Sequence, residues 1–197
     1  MTAVTLKRFT IKEYHRLGEM GFLGEDDRIE LIRGEIVQMP TKRPPHSVCN
    51  TRLWKELSKL LGDRAEIRIQ EPITLPADSE PQPDVVIARD RPDEYLSSHP
   101  EPADIFLVVE IADATLSYDR NRKLSIYAED GITDYWIFNL QDKQLEAYSE
   151  PYRDLQGKFG YASKRICLPD AVIAIPGFPD RALNLGKIFP GEKQSEG

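Results

Sequence analysis

Three short apolar runs dominate the hydrophobic pattern: Val85-Val86-Ile87-Ala88, Ile105-Phe106-Leu107-Val108-Val109 and Tyr135-Trp136-Ile137-Phe138. Runs of this length, rich in β-branched and aromatic residues, predict strands buried on both faces. The first run begins directly after a carboxylate, Asp84, and the second ends on one, Glu110. Leu124, Tyr127 and Ala128 have the spacing of a helix face, so the segment from Ile105 to Asn139 reads strand, loop, short helix from about Asp119, strand. A carboxylate at the end of a buried strand is costly unless it is paired or holds a metal.

The flanking segments predict smaller elements. Thr10 has the character of an N-cap for a peripheral helix through residues 11–21, followed by an acidic turn, Gly24-Glu25-Asp26-Asp27. Alternating residues on either side of Arg33-Gly34 predict a β-hairpin, with Glu30 and Ile32 on one face and Ile29 and Leu31 on the other. A strand glutamate of this kind ordinarily faces solvent. After a loop from Pro40 to Pro45, Val48, Leu53, Leu57, Leu60 and Leu61 predict a helix over residues 46–62 that stops at Gly62. His46 falls in its first turn, where a lone histidine ordinarily caps the helix or lies on the surface. Residues 65–75 alternate like a strand interrupted by Pro72, and residues 90–102 form a proline-rich loop. Strands follow over 144–149, 159–167 and 171–175, and the polar tail from Pro190 is expected to be disordered.

Composition narrows the class. A chain of 197 residues suits one domain, residues 1–197, with a peripheral segment at 1–27 and a free tail at 190–197. No apolar stretch is long enough to span a membrane, and the N-terminus lacks a secretory pattern. Cys49 and Cys167 lie far apart outside any CxxC motif, which suits a reduced, cytoplasmic protein. The net charge of −7 argues against coating nucleic acid by overall charge, yet it is compatible with a site built from metal-binding acids. Positive charge clusters at Arg52, Lys55, Lys59, Arg64 and Arg68 and again at Arg120, Arg122 and Lys123, ordinarily solvated helix faces.

Chemistry enters through the acids. If the strands after Asp84 and before Glu110 pair antiparallel, the two carboxylates come together. Two carboxylates side by side repel unless a proton or cation sits between them, and Mg²⁺ takes one or two such ligands plus water and phosphate oxygens. Lys123 lies one turn before Tyr127, about 40° from it around the helix, and so flanks the packed face toward Glu110. The competing reading of Lys123 is a surface i,i+4 ion pair with Asp119. Gln70, two strand positions after Arg68, is a further candidate to line the site.

Pro83-Asp84, Glu110-Ile111-Ala112 and Asp119…Lys123…Tyr127…Gly131-Ile132-Thr133-Asp134-Tyr135-Trp136, with Glu30 to Glu35 and His46 upstream, carry a resemblance. Over residues 28 to 185 the chain resembles the Uma-type restriction-endonuclease family of the PD-(D/E)XK nuclease superfamily, a bacterial group abundant in cyanobacteria. The resemblance implies an α/β (α+β, mixed-sheet) fold. It has a restriction-endonuclease-like αβββαβ core, an N-terminal β-hairpin and extra C-terminal strands. It implies an Mg²⁺ site, Mn²⁺ substituting, on Asp84, Glu110 and the Ile111 carbonyl, with Lys123 as a catalytic lysine moved to the following helix. The superfamily's usual lysine position, two residues after the acid, is Ala112 here. Glu30, His46, Gln70 and Asp119 would support the site. DNA is the implied substrate, with no organic cofactor and no membrane, and cleavage of both strands implies a homodimer. A second reading is a catalytically silent nuclease-like fold that binds nucleic acid or serves assembly. A third is a purely structural sheet whose acids cap strands. The joint presence of Asp84, Glu110 and Lys123 favours the nuclease.

Overall fold

Thr10 caps the first helix, α1 (Ile11–Glu19), and its reciprocal bond with Glu13 makes a full capping box. The computed structural model describes residues 5–24 and 27–191, so Glu25, Asp26 and the tail beyond Gly191 lie outside the described residues. The expected hairpin forms from β1 (Ile29–Ile32) and β2 (Glu35–Gln38). Its turn residues Arg33 and Gly34 both have positive φ, 51° and 70°, as a two-residue hairpin turn with matching twist requires. Gly34 also packs too tightly for a side chain, because a Cβ there would meet the Arg8 Cβ at 2.8 Å.

The second helix, α2 (Pro44–Leu61), begins earlier than the spacing predicts. Pro44 and Pro45 occupy its first turn, where a missing N–H costs no hydrogen bond. Cys49, Leu53, Leu57 and Leu61 form its buried face. Val48, expected on that stripe, is 39% exposed because it lies about 100° around the helix from Cys49.

A six-stranded sheet follows. It comprises β3 (Glu66–Ile69), β4 (Val85–Ala88), β5 (Ile105–Ala112), β6 (Asp134–Asn139), β7 (Gln144–Arg153) and β8 (Phe159–Cys167), hydrogen-bonded in that order. β3 stops short of the predicted Leu75 because Gln70 turns the chain at φ 57° and Pro72 has no amide to donate. Among the described strands only β5 and β6 pair parallel, and the helical crossover between them is α3 (Leu116–Tyr118), a π turn (Asp119–Lys123) and α4 (Leu124–Glu129). The order α2, β3, β4, β5, crossover helix, β6 is the αβββαβ core, and the sheet is mixed.

Alternation along β4, β5 and β6 feeds two cores. Val85, Ile87, Leu107, Val109, Trp136 and Phe138 pack beneath α2. Val86, Val108, Tyr135 and Ile137 pack on the other face with Ile32 of the hairpin and with Ile126 and Tyr127 of α4. A second hairpin, β9 (Val172–Ile175) and β10 (Phe178–Asn184), closes over the α2 side. The apolar pattern does not reveal β10: Pro179, Asp180 and Arg181 interrupt it, and only Phe178 and Leu183 are buried. Both cysteines are free and buried. Among the described residues no helix is long and apolar enough to cross a membrane.

Candidate active site

The β4–β5 pairing is antiparallel, with Val85 opposite Val109, and one step further along the register sets Asp84 opposite Glu110. β5 continues through Ile111 and Ala112, so Glu110 stands inside a buried strand and not at its end. The Ile111 amide donates to Asp84 Oδ2 at 2.9 Å, which locks the two strand ends together through a side chain. His46 Nε2 lies 2.9 Å from the same oxygen, and Gln70 Nε2 donates to Oδ1 at 3.3 Å. His46 is therefore a buried partner of Asp84, not a surface or capping residue. The first turn of α2 aims it at the sheet.

Glu110 is met from the opposite layer. Lys123 Nζ donates to Glu110 Oε1 at 2.8 Å and to Glu30 Oε1 at 3.0 Å, and the Tyr127 hydroxyl donates to Glu110 Oε1 at 2.8 Å. The expectation that Glu30 faces solvent fails because the crossover helix covers that face of the hairpin, leaving Glu30 2% exposed. Lys123, at 1% exposure, is fully enclosed and does not merely flank the packed face. No surface pair with Asp119 exists among the described residues. Asp119 instead accepts from the Thr115 hydroxyl at 2.6 Å, and its backbone carbonyl accepts from Tyr135 at 3.2 Å. The π turn is the local reason, since its wider winding changes the angle between residues 119 and 123.

The charges are unequal in number. Burial pushes Glu110 well above the usual carboxylate range, against the pull of Lys123, with Asp119, Asp84 and Glu30 adding to the rise. Burial also drives Asp119 upward, to about 6. On Asp84 burial is again the largest effect, but the His46 bond, its charge and the Ile111 amide together outweigh it and hold the carboxyl below its usual value. Burial opposes the charge on Lys123, yet Glu110, Glu30 and Asp119 raise it well above the ordinary lysine value. Acids thus outnumber cations in a region closed to solvent. Three buried atoms here also lack partners: Glu30 Oε2, His46 Nδ1 and the Tyr118 hydroxyl.

A pocket of about 100 Å³ opens onto this cluster. The buried His46, Glu110, Ile111 and Asp119 line it, with the more exposed Arg28, Lys42 and Arg43 toward its edge, and Asp84 is not among the lining residues. From the sequence alone Tyr127 reads as a packing residue, and nothing singles out Lys42. The signal for Tyr127 was its hydroxyl, a polar handle needing a partner when buried, one turn after Lys123.

A family model described as "Putative restriction endonuclease", Uma2, matches residues 11–186. The chain belongs to the Uma2 family. That match takes in all the residues of the cluster, from Glu30 through His46, Asp84 and Glu110 to Lys123 and Tyr127. The chain is also similar in structure to a putative nuclease belonging to DUF820 from Anabaena variabilis, known from its crystal structure. The two share 16% sequence identity and superpose with a TM-score of 0.66 over 88% of this chain and 96% of that one. At that identity the likeness is one of fold: the Uma2-family chain has the architecture of a nuclease-like protein. No curated protein matches the chain.

Proposed function

We propose that the protein is an Mg²⁺-dependent endonuclease that hydrolyses DNA phosphodiester bonds at the pocket lined by Glu110 and by His46 and Ile111, two partners of Asp84. The observation that carries this reading is the convergence of the two carboxyls from adjacent antiparallel strands, beside a pocket that Glu110 lines and within a buried cluster where acids exceed cations.

The donor set fits a hard divalent cation. Among the described residues no three His, Cys, Asp or Glu side chains group closely enough to form an all-protein metal cage. Mg²⁺ does not need one, because it keeps several waters and takes one or two carboxylates. The hydrogen bonds to Glu110 from Lys123 and Tyr127 both fall on Oε1. Those of His46 and the Ile111 amide both fall on Asp84 Oδ2. Each acid so keeps one oxygen lightly used, and the unpartnered Glu30 Oε2 and His46 Nδ1 call for water or an ion nearby. Asp84, Glu110 and the Ile111 carbonyl would hold the ion, with Mn²⁺ as a substitute. When bound, it supplies Lewis acidity toward the scissile phosphate and toward water.

The chain's own groups prepare that chemistry. His46 and the Ile111 amide keep Asp84 ionised and fixed in direction. Lys123 and Tyr127 hold Glu110 Oε1 and so aim its other oxygen. The closed surroundings strengthen every electrostatic contact made inside. Cutting both strands of a duplex asks for two such sites, and the protein is proposed to act as a homodimer.

Supercoiled plasmid is the test. In Mg²⁺ or Mn²⁺ the wild type converts it to the nicked form, chelation stops the reaction, and Asp84→Asn or Glu110→Gln slows it about 100-fold or more. Plasmid left intact by folded wild type across divalent metals and pH would overturn the proposal in favour of a silent nucleic-acid-binding fold.

A further inference from the structure

Lys123 has little freedom to meet a substrate. Its ammonium is enclosed, bonded to Glu30 at 3.0 Å and Glu110 at 2.8 Å, and it takes no part in the pocket wall. Turning it outward would leave two buried carboxyls without their cation, which is strongly unfavourable. A phosphodiester entering the pocket nevertheless brings a negative charge up to Glu110 and Asp119, and those acids repel it. Some cation at the pocket's edge has to receive it.

Three cations stand there, and two are committed. Arg43 is held by both oxygens of Asp113, at 2.6 Å each. Arg28 donates to the Pro40 carbonyl. Lys42 is different. It is half-buried, it lines the pocket, and among the described residues its ammonium forms no hydrogen bond or ion pair. It stands close enough to Asp84 and Glu110 to feel both charges. Its loop, Pro40-Thr41-Lys42-Arg43, lies between prolines that restrict the backbone on both sides, so its position is fixed in advance of binding. A compact ammonium on a flexible stem suits a point contact with one phosphate oxygen.

We infer that Lys42 is the residue that binds a backbone phosphate of the nucleic acid at the pocket mouth, and that Lys123 is a positioning residue for Glu110. The inference rests on the nuclease reading of the pocket. It adds a residue to the substrate-binding surface and takes Lys123 away from the substrate.

The test reads binding separately from cleavage. A labelled duplex oligonucleotide is titrated by fluorescence anisotropy at several salt concentrations with wild type, Lys42→Gln and Lys42→Arg, chelator present throughout. Lys42→Gln is expected to lower the slope of log affinity against log salt by about 1 and to weaken low-salt binding about tenfold. Lys42→Arg restores both, because it keeps the charge. Since the ammonium has no partner among the described residues, the thermal midpoint stays that of wild type. In a cleavage assay the same variant raises KM and leaves kcat nearly unchanged.

An unchanged slope and affinity in Lys42→Gln, or a wild type that does not bind duplex DNA, overturns the inference. The two proposals fail separately. A wild type that never nicks DNA but loses one unit of slope in Lys42→Gln keeps Lys42 and loses the nuclease. A wild type that nicks DNA with the same KM in Lys42→Gln does the reverse.

Discussion

At the scale of single residues, the Lys123 ammonium joins three layers, since Glu30 comes from the hairpin, Glu110 from the central strand and Lys123 itself from the crossover helix. Removing one partner from a buried ion pair leaves the other charges without compensation, which costs about 3–5 kcal/mol. Lys123→Met should lower unfolding free energy by about that amount in urea melts, and adding Glu110→Gln to it should recover part of the loss. A wild-type urea midpoint for Lys123→Met would show that the pair does not hold the layers together. The spacing of Lys123 one turn before Tyr127 turns it toward the packed side, but did not reveal its full enclosure at 1% exposure. It did not disclose the partner. Alternation along β1 set Glu30 beside Ile32, but whether that face is dry depends on a helix that arrives about 90 residues later. His46 was hidden for the same reason, since its burial against Asp84 comes from the docking of α2 on the sheet.

At the scale of elements, the crossover helix is anchored a second time through Glu146 on β7. That carboxyl is fully buried and accepts from Arg120 Nε at 3.1 Å, Tyr148 at 2.7 Å and Lys164 at 2.9 Å. Burial pushes its pKa up, but the bonds from Arg120, Lys164 and Tyr148 prevail and hold it at about 2. A carboxyl whose folded pKa is depressed contributes stability that is present above its unfolded value of 4.5 and is lost as pH falls toward 2. Glu146→Gln should therefore remove on the order of 2–3 kcal/mol of the stability change between pH 6 and pH 2.5. Urea midpoints at the two pH values measure this, and an identical pH dependence in the variant would contradict it. The π turn carries Arg120 toward β7 and Lys123 toward β5, an arrangement no apolar periodicity announces. Helix existence was legible here from Leu124, Tyr127 and Ala128. Its winding was not, because a π turn depends on which polar groups its residues reach.

At the scale of the whole molecule, the three apolar runs were enough to place the middle of the sheet, since strands covered on both faces need apolar residues at every position. Asp84 and Glu110 were legible as a pair for the same reason: charges flanking such strands are exceptional, and antiparallel pairing has one register that joins them. β10 was not legible, because it lies at an edge with most of its residues exposed. On the proposed function, this sheet brings Asp84 and Glu110 together to hold a divalent cation. Calorimetric titration with Mn²⁺ tests that most directly, without any substrate. The wild type should bind one ion per chain, and Asp84→Asn and Glu110→Gln should each weaken binding at least about tenfold while remaining folded. Equal Mn²⁺ affinity in wild type and both variants, or no binding to the wild type, would contradict it.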